Sequence, residues 1–149
     1  MLVKEICSTD VVCCGPQTSA FEAARLMRHH HVGDVIVVDD PERAQVPLGV
    51  ITDRDLAIEV LATGRAAATT AVATLLRTPV VIARESEDTR SVAERMRANG
   101  VRRIPVVDER GALAGIVTFD DLLRGLVAGM QLLLETQTRA QRHEQSDRR

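Results

Sequence analysis

The hydrophobic positions of the chain fall into short continuous runs that polar turns separate. Runs of this length, rich in β-branched residues, are typical of strands that are covered on both faces. Turn-forming residues follow two of them, at 39–41 and 108–111. The pattern therefore predicts six strands, at residues 11–14, 35–38, 48–51, 80–83, 104–107 and 113–117.

Between the strands, apolar residues recur every three or four positions, which predicts amphipathic helices. Ser19 with Glu22, and Asp88 with Ser91, are expected to cap the starts of two of them. Two further helices are predicted directly after strands, at 53–62 and 119–130. The last segment, 131–149, is predicted to extend the final helix through three leucines and to end in a frayed polar tail.

The predicted elements occur twice in one order, β-α-β-β-α. Segment 32–39 recurs 69 residues later as 101–108, and segment 49–56 recurs 66 residues later as 115–122. Repeat 1 therefore has three extra residues in the loop 40–48, as expected of a surface insertion in a duplicated unit. An α+β fold with pseudo-two-fold symmetry follows, in which two marginal halves share a core. The predicted parts are repeat 1 with its lead-in (1–66), repeat 2 (67–130) and a C-terminal extension (131–149).

Composition and charge exclude several classes of protein. A net charge of -2 with two Phe and no Tyr or Trp argues against a nucleic-acid interface. No apolar run has the length of a membrane span and no signal segment opens the chain, so a cytoplasmic protein without membrane contact is expected. Three clustered cysteines are no disulfide framework. The motifs of a P-loop, a G-x-S-x-G nucleophile or an H-E-x-x-H zinc site are missing, so an enzyme is not expected.

The duplicated unit resembles a pair of CBS domains, the Bateman module. The resemblance rests on the I-P-V-V-D strand at 104–108 and on the G-h-h-T-x-x-D turns at 49–55 and 115–121, where h is an apolar residue. It covers residues 3 to about 130. It implies a stand-alone regulatory module that binds an adenosine-containing ligand between the repeats: AMP, ADP, ATP, NAD or S-adenosylmethionine. It also implies a homodimer that signals to a separate protein partner, of unknown identity.

The T-x-x-D motifs have two interpretations. As capping boxes, they satisfy the free amides of a helix start and need no ligand. The resemblance adds a ribose-binding role for the Asp, with the Thr close to it, so Thr52 with Asp55 and Thr118 with Asp121 mark two half-sites. Capping and binding are compatible with each other. The resemblance also assigns adenine contacts to Ile104, Pro105 and the strand from Val80 to Ile82, while Arg103 and Arg102 either reach a phosphate or are solvated strand ends.

The two half-sites are not expected to be equal. Arg54 of repeat 1 is replaced by Asp120 in repeat 2, and an arginine attracts phosphate whereas a carboxylate repels it. Phosphate-rich ligands are therefore predicted to prefer the side near Arg54. Ile36 stands in repeat 1 where repeat 2 has Pro105, so the adenine contact of repeat 1 departs from the family motif.

Two other functions stay open. One is a ligand-free interaction or dimerisation module, in which the motifs only cap helices. The other is a redox or metal sensor that uses Cys7, Cys13, Cys14 and His29–His31. Three consecutive histidines cannot share one helical face, and small cysteines are ordinary in a buried strand, so no metal site is predicted. The leucines 132–134 either extend a dimer contact or pack back on the body.

Overall fold

The computed structural model describes residues 1–43 and 45–147, and it contains two three-stranded sheets. Repeat 1 forms one sheet from β1 (Cys13–Cys14), β2 (Asp34–Val38) and β3 (Pro47–Thr52), and repeat 2 forms the other from β4 (Ala83–Arg84), β5 (Arg103–Val107) and β6 (Leu113–Thr118). In both, the first pair of strands is parallel and the second is antiparallel. Eight residues join β2 to β3 and five join β5 to β6, so the three extra residues lie in this loop as predicted. The tandem α+β fold is confirmed.

The helices follow the strands in the predicted order. They are α1 (Ala20–His30), α2 (Asp53–Asp55, continued by the π-helical segment Leu56–Leu61), α3 (Thr89–Asn99) and α4 (Phe119–Asp147). Ser19 caps α1 by accepting a hydrogen bond from the Glu22 amide at 3.1 Å. Asp88 caps α3 but accepts from the amide of Arg90, not from that of Ser91. Within the described residues, no helix combines the length and the apolar character that crossing a membrane requires.

The first strand of each repeat is shorter than predicted. The Ile36 amide donates to the Val12 carbonyl at 2.9 Å, next to the two-residue strand β1. The equivalent bond to the Val81 carbonyl cannot form, because Pro105 has no N–H to donate. Ile82 therefore lies outside β4, whereas its equivalent Cys13 pairs with Ile36 in β1. Val80 and Val81 precede β4 just as Val11 and Val12 precede β1, so the prediction that these residues belong to the two strands is wrong.

The final helix is longer than predicted. It continues as one helix to Asp147, so the predicted helical extension runs through the polar tail to that residue, and the fraying of its end stays a prediction. Residues 148 and 149 lie outside the described part of the chain. The Leu132, Leu133 and Leu134 side chains are 63–71% exposed, so they do not pack back on the body.

The lead-in segment of each repeat packs into the core of the other repeat. The 3-10 turn Val3–Glu5 precedes repeat 1, yet Val3 is fully buried in the core of repeat 2, while Val72 is fully buried in the core of repeat 1. The backbone hydrogen bonds of the two segments are equivalent as well. The Val3 amide donates to the Glu87 carbonyl and the Val72 amide donates to the Thr18 carbonyl, both at 2.9 Å. A third apolar cluster, around Ile36, Val38 and Ile116, joins the two sheets. The halves therefore share a core, as their size predicts.

Candidate ligand-binding cleft

A cleft of about 690 Å³ lies between the two repeats. Its wall from repeat 1 is the end of β3 with the beginning of α2 and the π-helical segment, and its wall from repeat 2 is the chain before β4, the end of α3 and the start of β5. The volume lies in the range of small-molecule sites, about 300–1,000 Å³. Six predicted site residues line it together: Thr52, Arg54, Asp55, Val80, Arg103 and Pro105.

Four other predicted site residues do not line this cleft. Ile104 is fully buried in the core of repeat 2, since successive residues of a strand point to opposite faces and Pro105 takes the cleft side. Ile82 lies next to β4, beyond the part of this segment that lines the cleft. Thr118 and Asp121 occupy the pseudo-equivalent position in repeat 2.

Both T-x-x-D motifs are capping boxes. In repeat 1 the Thr52 hydroxyl donates to Oδ2 of Asp55 at 2.7 Å and accepts from the Asp55 amide at 3.1 Å, while the Thr52 amide donates to the same Oδ2 at 2.9 Å. The equivalent distances for Thr118 and Asp121 are 2.7, 3.2 and 2.8 Å. The capping interpretation is confirmed, and in both motifs it occupies only one of the two carboxylate oxygens.

The second carboxylate oxygen distinguishes the two motifs. Oδ1 of Asp121 accepts a hydrogen bond from Arg124 at 3.1 Å. Repeat 1 has Ile58 at the position of Arg124, and an aliphatic side chain cannot donate. Among the residues that the structure describes, none donates to Oδ1 of Asp55. Asp55 therefore keeps an acceptor that can take a hydroxyl from a ligand.

Two of the cleft arginines are held by carboxylates. Arg103 forms a part-buried ion pair with Asp34, the residue at its own position in repeat 1, so it is not the solvated strand end that sequence reasoning allowed. Burial raises the pKa of Asp34, and the neighbouring Arg103 only partly offsets that shift. Arg102 lies 3.9 Å from Asp120 and is largely exposed.

The other two, Arg54 and Arg77, are exposed and form no ion pair with any described residue. Sequence reasoning missed Arg77, which lies in the linker outside any motif. Its only sequence signal is its offset of 69 residues from Ser8, the equivalent lead-in position of repeat 1.

At the pseudo-equivalent position, where Thr118 and Asp121 lie, the lead-in segment of repeat 1 covers β6. The backbone of Ser8 pairs with Ile116 through two hydrogen bonds of 2.9 Å. A Cβ atom on Gly115 would lie 2.5 Å from the Ser8 carbonyl oxygen, so the two backbones are in close contact. In repeat 1 the residues equivalent to Ser8 and Ile116 are Arg77 and Val50, and both line the open cleft. The lead-in segments thus close one half-site and leave the other accessible.

The cysteines and histidines are not gathered into one cluster in the described part of the chain. Burial raises the pKa of the Cys7, Cys13 and Cys14 thiols, so each holds less reactive thiolate at neutral pH than a free cysteine. His29 and His30 end α1, His31 is its C-cap, and all three are exposed. No group of three His, Cys, Asp or Glu side chains suited to a metal ion occurs among the residues described.

Known proteins resemble this chain over nearly all of both repeats. Residues 3–62 and 72–128 match the family model of the CBS domain. Hypoxic response protein 1 of Mycobacterium tuberculosis is 32% identical over 123 residues, which cover 83% of this chain and 83% of that protein. A protein of Methanopyrus kandleri is 34% identical over 122 residues; these cover 82% of this chain but only 61% of the relative.

Solved structures of similar proteins have the same fold as this chain. A crystal structure of Hypoxic Response Protein I with two coordinated zinc ions matches with a TM-score of 0.73 at 29% identity, covering 83% of this chain and 98% of that one. A CBS domain pair in complex with 5′-methylthioadenosine and S-adenosyl-L-methionine also matches with a TM-score of 0.73, at 28% identity, covering 85% and 99%. Because both repeats match the family and both have its fold, the chain belongs to the CBS domain family as a tandem pair.

Proposed function

We propose that this CBS pair is a regulatory module that binds an adenosine-containing ligand in the cleft and signals to a separate protein. The observation that carries the proposal is the meeting of Thr52 and Asp55 from repeat 1 with Val80 and Pro105 from repeat 2 in one cleft. These residue types suit the two halves of a nucleoside, the polar ribose and the apolar faces of the base. The candidates are AMP, ADP, ATP, NAD and S-adenosylmethionine.

Each part of the nucleoside has a matching group in the cleft. Oδ1 of Asp55 accepts from a ribose hydroxyl, while Oδ2 stays bound to Thr52 and fixes the carboxylate. Val80 and Pro105 provide apolar contact for the adenine ring. Pro105 also leaves the Val81 carbonyl without the strand bond that Val12 receives, so this carbonyl can accept from the adenine amino group. The solved relative that binds 5′-methylthioadenosine and S-adenosyl-L-methionine supports the choice of ligand class.

Binding in this cleft is suited to a switch because both repeats line it. A ligand shifts a conformational equilibrium only if it binds one state more tightly, typically by about 1–3 kcal/mol. Ile58 and Glu59 line the cleft from the π-helical segment, whereas α4 is α-helical at the equivalent place. Segments of π-helix are frequent at functional sites. We propose that the module acts through binding alone and catalyses no reaction.

The ligand-free interaction module is the second candidate, because the capping boxes are complete without a ligand. A dye-based thermal shift with the five candidate ligands separates the two. A ligand at 100 times its Kd adds about 2.7 kcal/mol to the free energy of unfolding, which raises Tm by several degrees. Cytidine monophosphate serves as a control that lacks the purine. A rise with an adenosine ligand supports the sensor, and no rise with any of the five favours the interaction module.

We also propose that the chain forms a homodimer through α4. Every residue from Leu126 to Arg139 is exposed, although the segment contains many large apolar side chains. Five exposed apolar side chains of α4 alternate in spacing between four and three residues, the pattern of a left-handed coiled coil. They are Phe119, Leu123, Leu126, Met130 and Leu133. A matching helix from a second copy would cover this stripe.

Replacement of two stripe residues is expected to dissociate the dimer. Met130→Glu combined with Leu133→Glu places charge in the seam, so the mass from light scattering should fall from twice 16.3 kDa to 16.3 kDa. Leu132→Glu is the matched control, because Leu132 is 65% exposed but lies off the stripe. A double variant that keeps the wild-type mass would refute this interface.

A further inference from the structure

The charged residues that line the cleft differ from those at the pseudo-equivalent position. Four arginines line the cleft: Arg54, Arg77, Arg102 and Arg103. In the sequence of the repeats, the equivalent residues in the same order are Asp120, Ser8, Gly33 and Asp34. One of the two pseudo-equivalent positions is therefore lined by four guanidinium groups, and the other has in their places two carboxylates, which face Arg103 and Arg102, and no arginine of its own.

The cleft has more arginines than carboxylates, and two of its four arginines form no ion pair with a described residue. Three carboxylates line the same walls: Asp53, Asp55 and Glu59. Asp53 accepts from the backbone amide of Arg54, and the Thr52 bonds occupy one oxygen of Asp55. Arg54 and Arg77 have no ion-pair partner among the described residues, so both can turn to an anion. Guanidinium groups favour phosphate because two parallel N–H groups match two of its oxygens.

We infer that the cleft takes an adenosine ligand with at least two 5′-phosphates, and that one such ligand binds per chain. The inference rests on the proposed function, since the adenosine must occupy the cleft for its phosphates to reach the arginines. A diphosphate supplies an anionic group for each of the unpaired arginines, Arg54 and Arg77. Adenosine offers none, and the sulfonium of S-adenosylmethionine adds a positive charge beside them.

The expectation of one ligand per chain follows from the residues at the pseudo-equivalent position, where Thr118 and Asp121 lie. The Ser8 backbone covers β6 there, through its two bonds to Ile116. Arg124 occupies the free oxygen of Asp121, which in Asp55 stays available for ribose. Asp120 stands where the cleft has Arg54, and a carboxylate repels phosphate. These three features make this position less favourable for a nucleoside polyphosphate than the cleft is.

Isothermal titration of the full chain with ATP, ADP, AMP, adenosine and S-adenosylmethionine tests the inference. ATP and ADP should bind at least about 100-fold more tightly than adenosine, with one site per chain, because two charge-assisted contacts are added. Arg54→Asp, which places the repeat 2 residue in repeat 1, should weaken ATP binding roughly 10- to 100-fold and leave adenosine binding unchanged. Arg77→Ser is a second variant with the same expectation. Arg97→Asp controls for net charge, since Arg97 is exposed on α3 and does not line the cleft.

The outcomes separate this inference from the proposed function. If AMP, adenosine or S-adenosylmethionine binds as tightly as ATP, the polyphosphate inference is overturned while the adenosine site stands. Two ATP molecules per chain would overturn the single site. If none of the five compounds binds and NAD gives no thermal shift either, the proposed function itself fails. A loss of ATP affinity in Arg54→Asp but not in Arg97→Asp supports the inference.

Discussion

Asp55→Ala is expected to weaken adenosine-ligand binding in the cleft, whereas Asp121→Ala is expected to leave it intact. Asp55 is the carboxylate that lines the cleft and keeps Oδ1 free. A hydrogen bond to a charged group contributes about 1.5–3 kcal/mol, so the loss of the ribose contact to Oδ1 weakens binding roughly 10- to 100-fold. Titration calorimetry with ATP measures the change directly.

The two aspartates provide an internal control for stability. Each completes a capping box of nearly identical geometry, so each substitution is expected to lower the free energy of unfolding by about 1 kcal/mol. Urea titration of both variants checks that equality. Unchanged ATP affinity in Asp55→Ala would refute the site assignment. Equal loss in both variants would show that ligand affinity depends on the caps or on a second occupied site.

Removal of residues 1–8 is expected to destabilise repeat 2 more than repeat 1. Val3 is fully buried in the core of repeat 2, and Ile6 and Cys7 pack against the same cluster. Each fully buried side chain of this kind contributes about 1.5–3 kcal/mol, and the truncation also leaves the edge of β6 at Ile116 without its partner. The loss is roughly 4 kcal/mol, a large part of the 5–15 kcal/mol that stabilises a typical domain.

Hydrogen exchange followed by mass spectrometry locates the effect of this truncation. Amides of β5 and β6 should lose protection first, while those of β2 and β3 keep more of theirs. Val3→Ala and Val72→Ala are a matched pair of milder variants, since each removes two methyl groups from a fully buried side chain in the opposite repeat. Val72→Ala should therefore loosen repeat 1. Preferential loss of protection in β2 and β3 after truncation would contradict the exchange of lead-in segments.

The sequence predicted most elements because they depend on neighbouring residues. β2, β3, β5 and β6 agree with the predicted strands to within one residue at each end. Two other elements differ from the prediction. Ile82 does not pair in β4, because Pro105 of β5 lacks the amide donor that this pairing needs. The full length of α4 was also missed, since the polar composition of its last turns favoured a frayed end.

The sequence alone determined the duplication, the capping boxes and the family resemblance. A cap joins residues three positions apart, such as Thr52 and Asp55, so its geometry follows from local spacing. Only the tertiary structure decided that this motif shares a cleft with Pro105, that Arg77 joins them, and that Ser8 closes the other position. Those contacts link residues far apart in the chain, and they follow from how the two sheets and the exchanged lead-in segments pack, which no local pattern encodes.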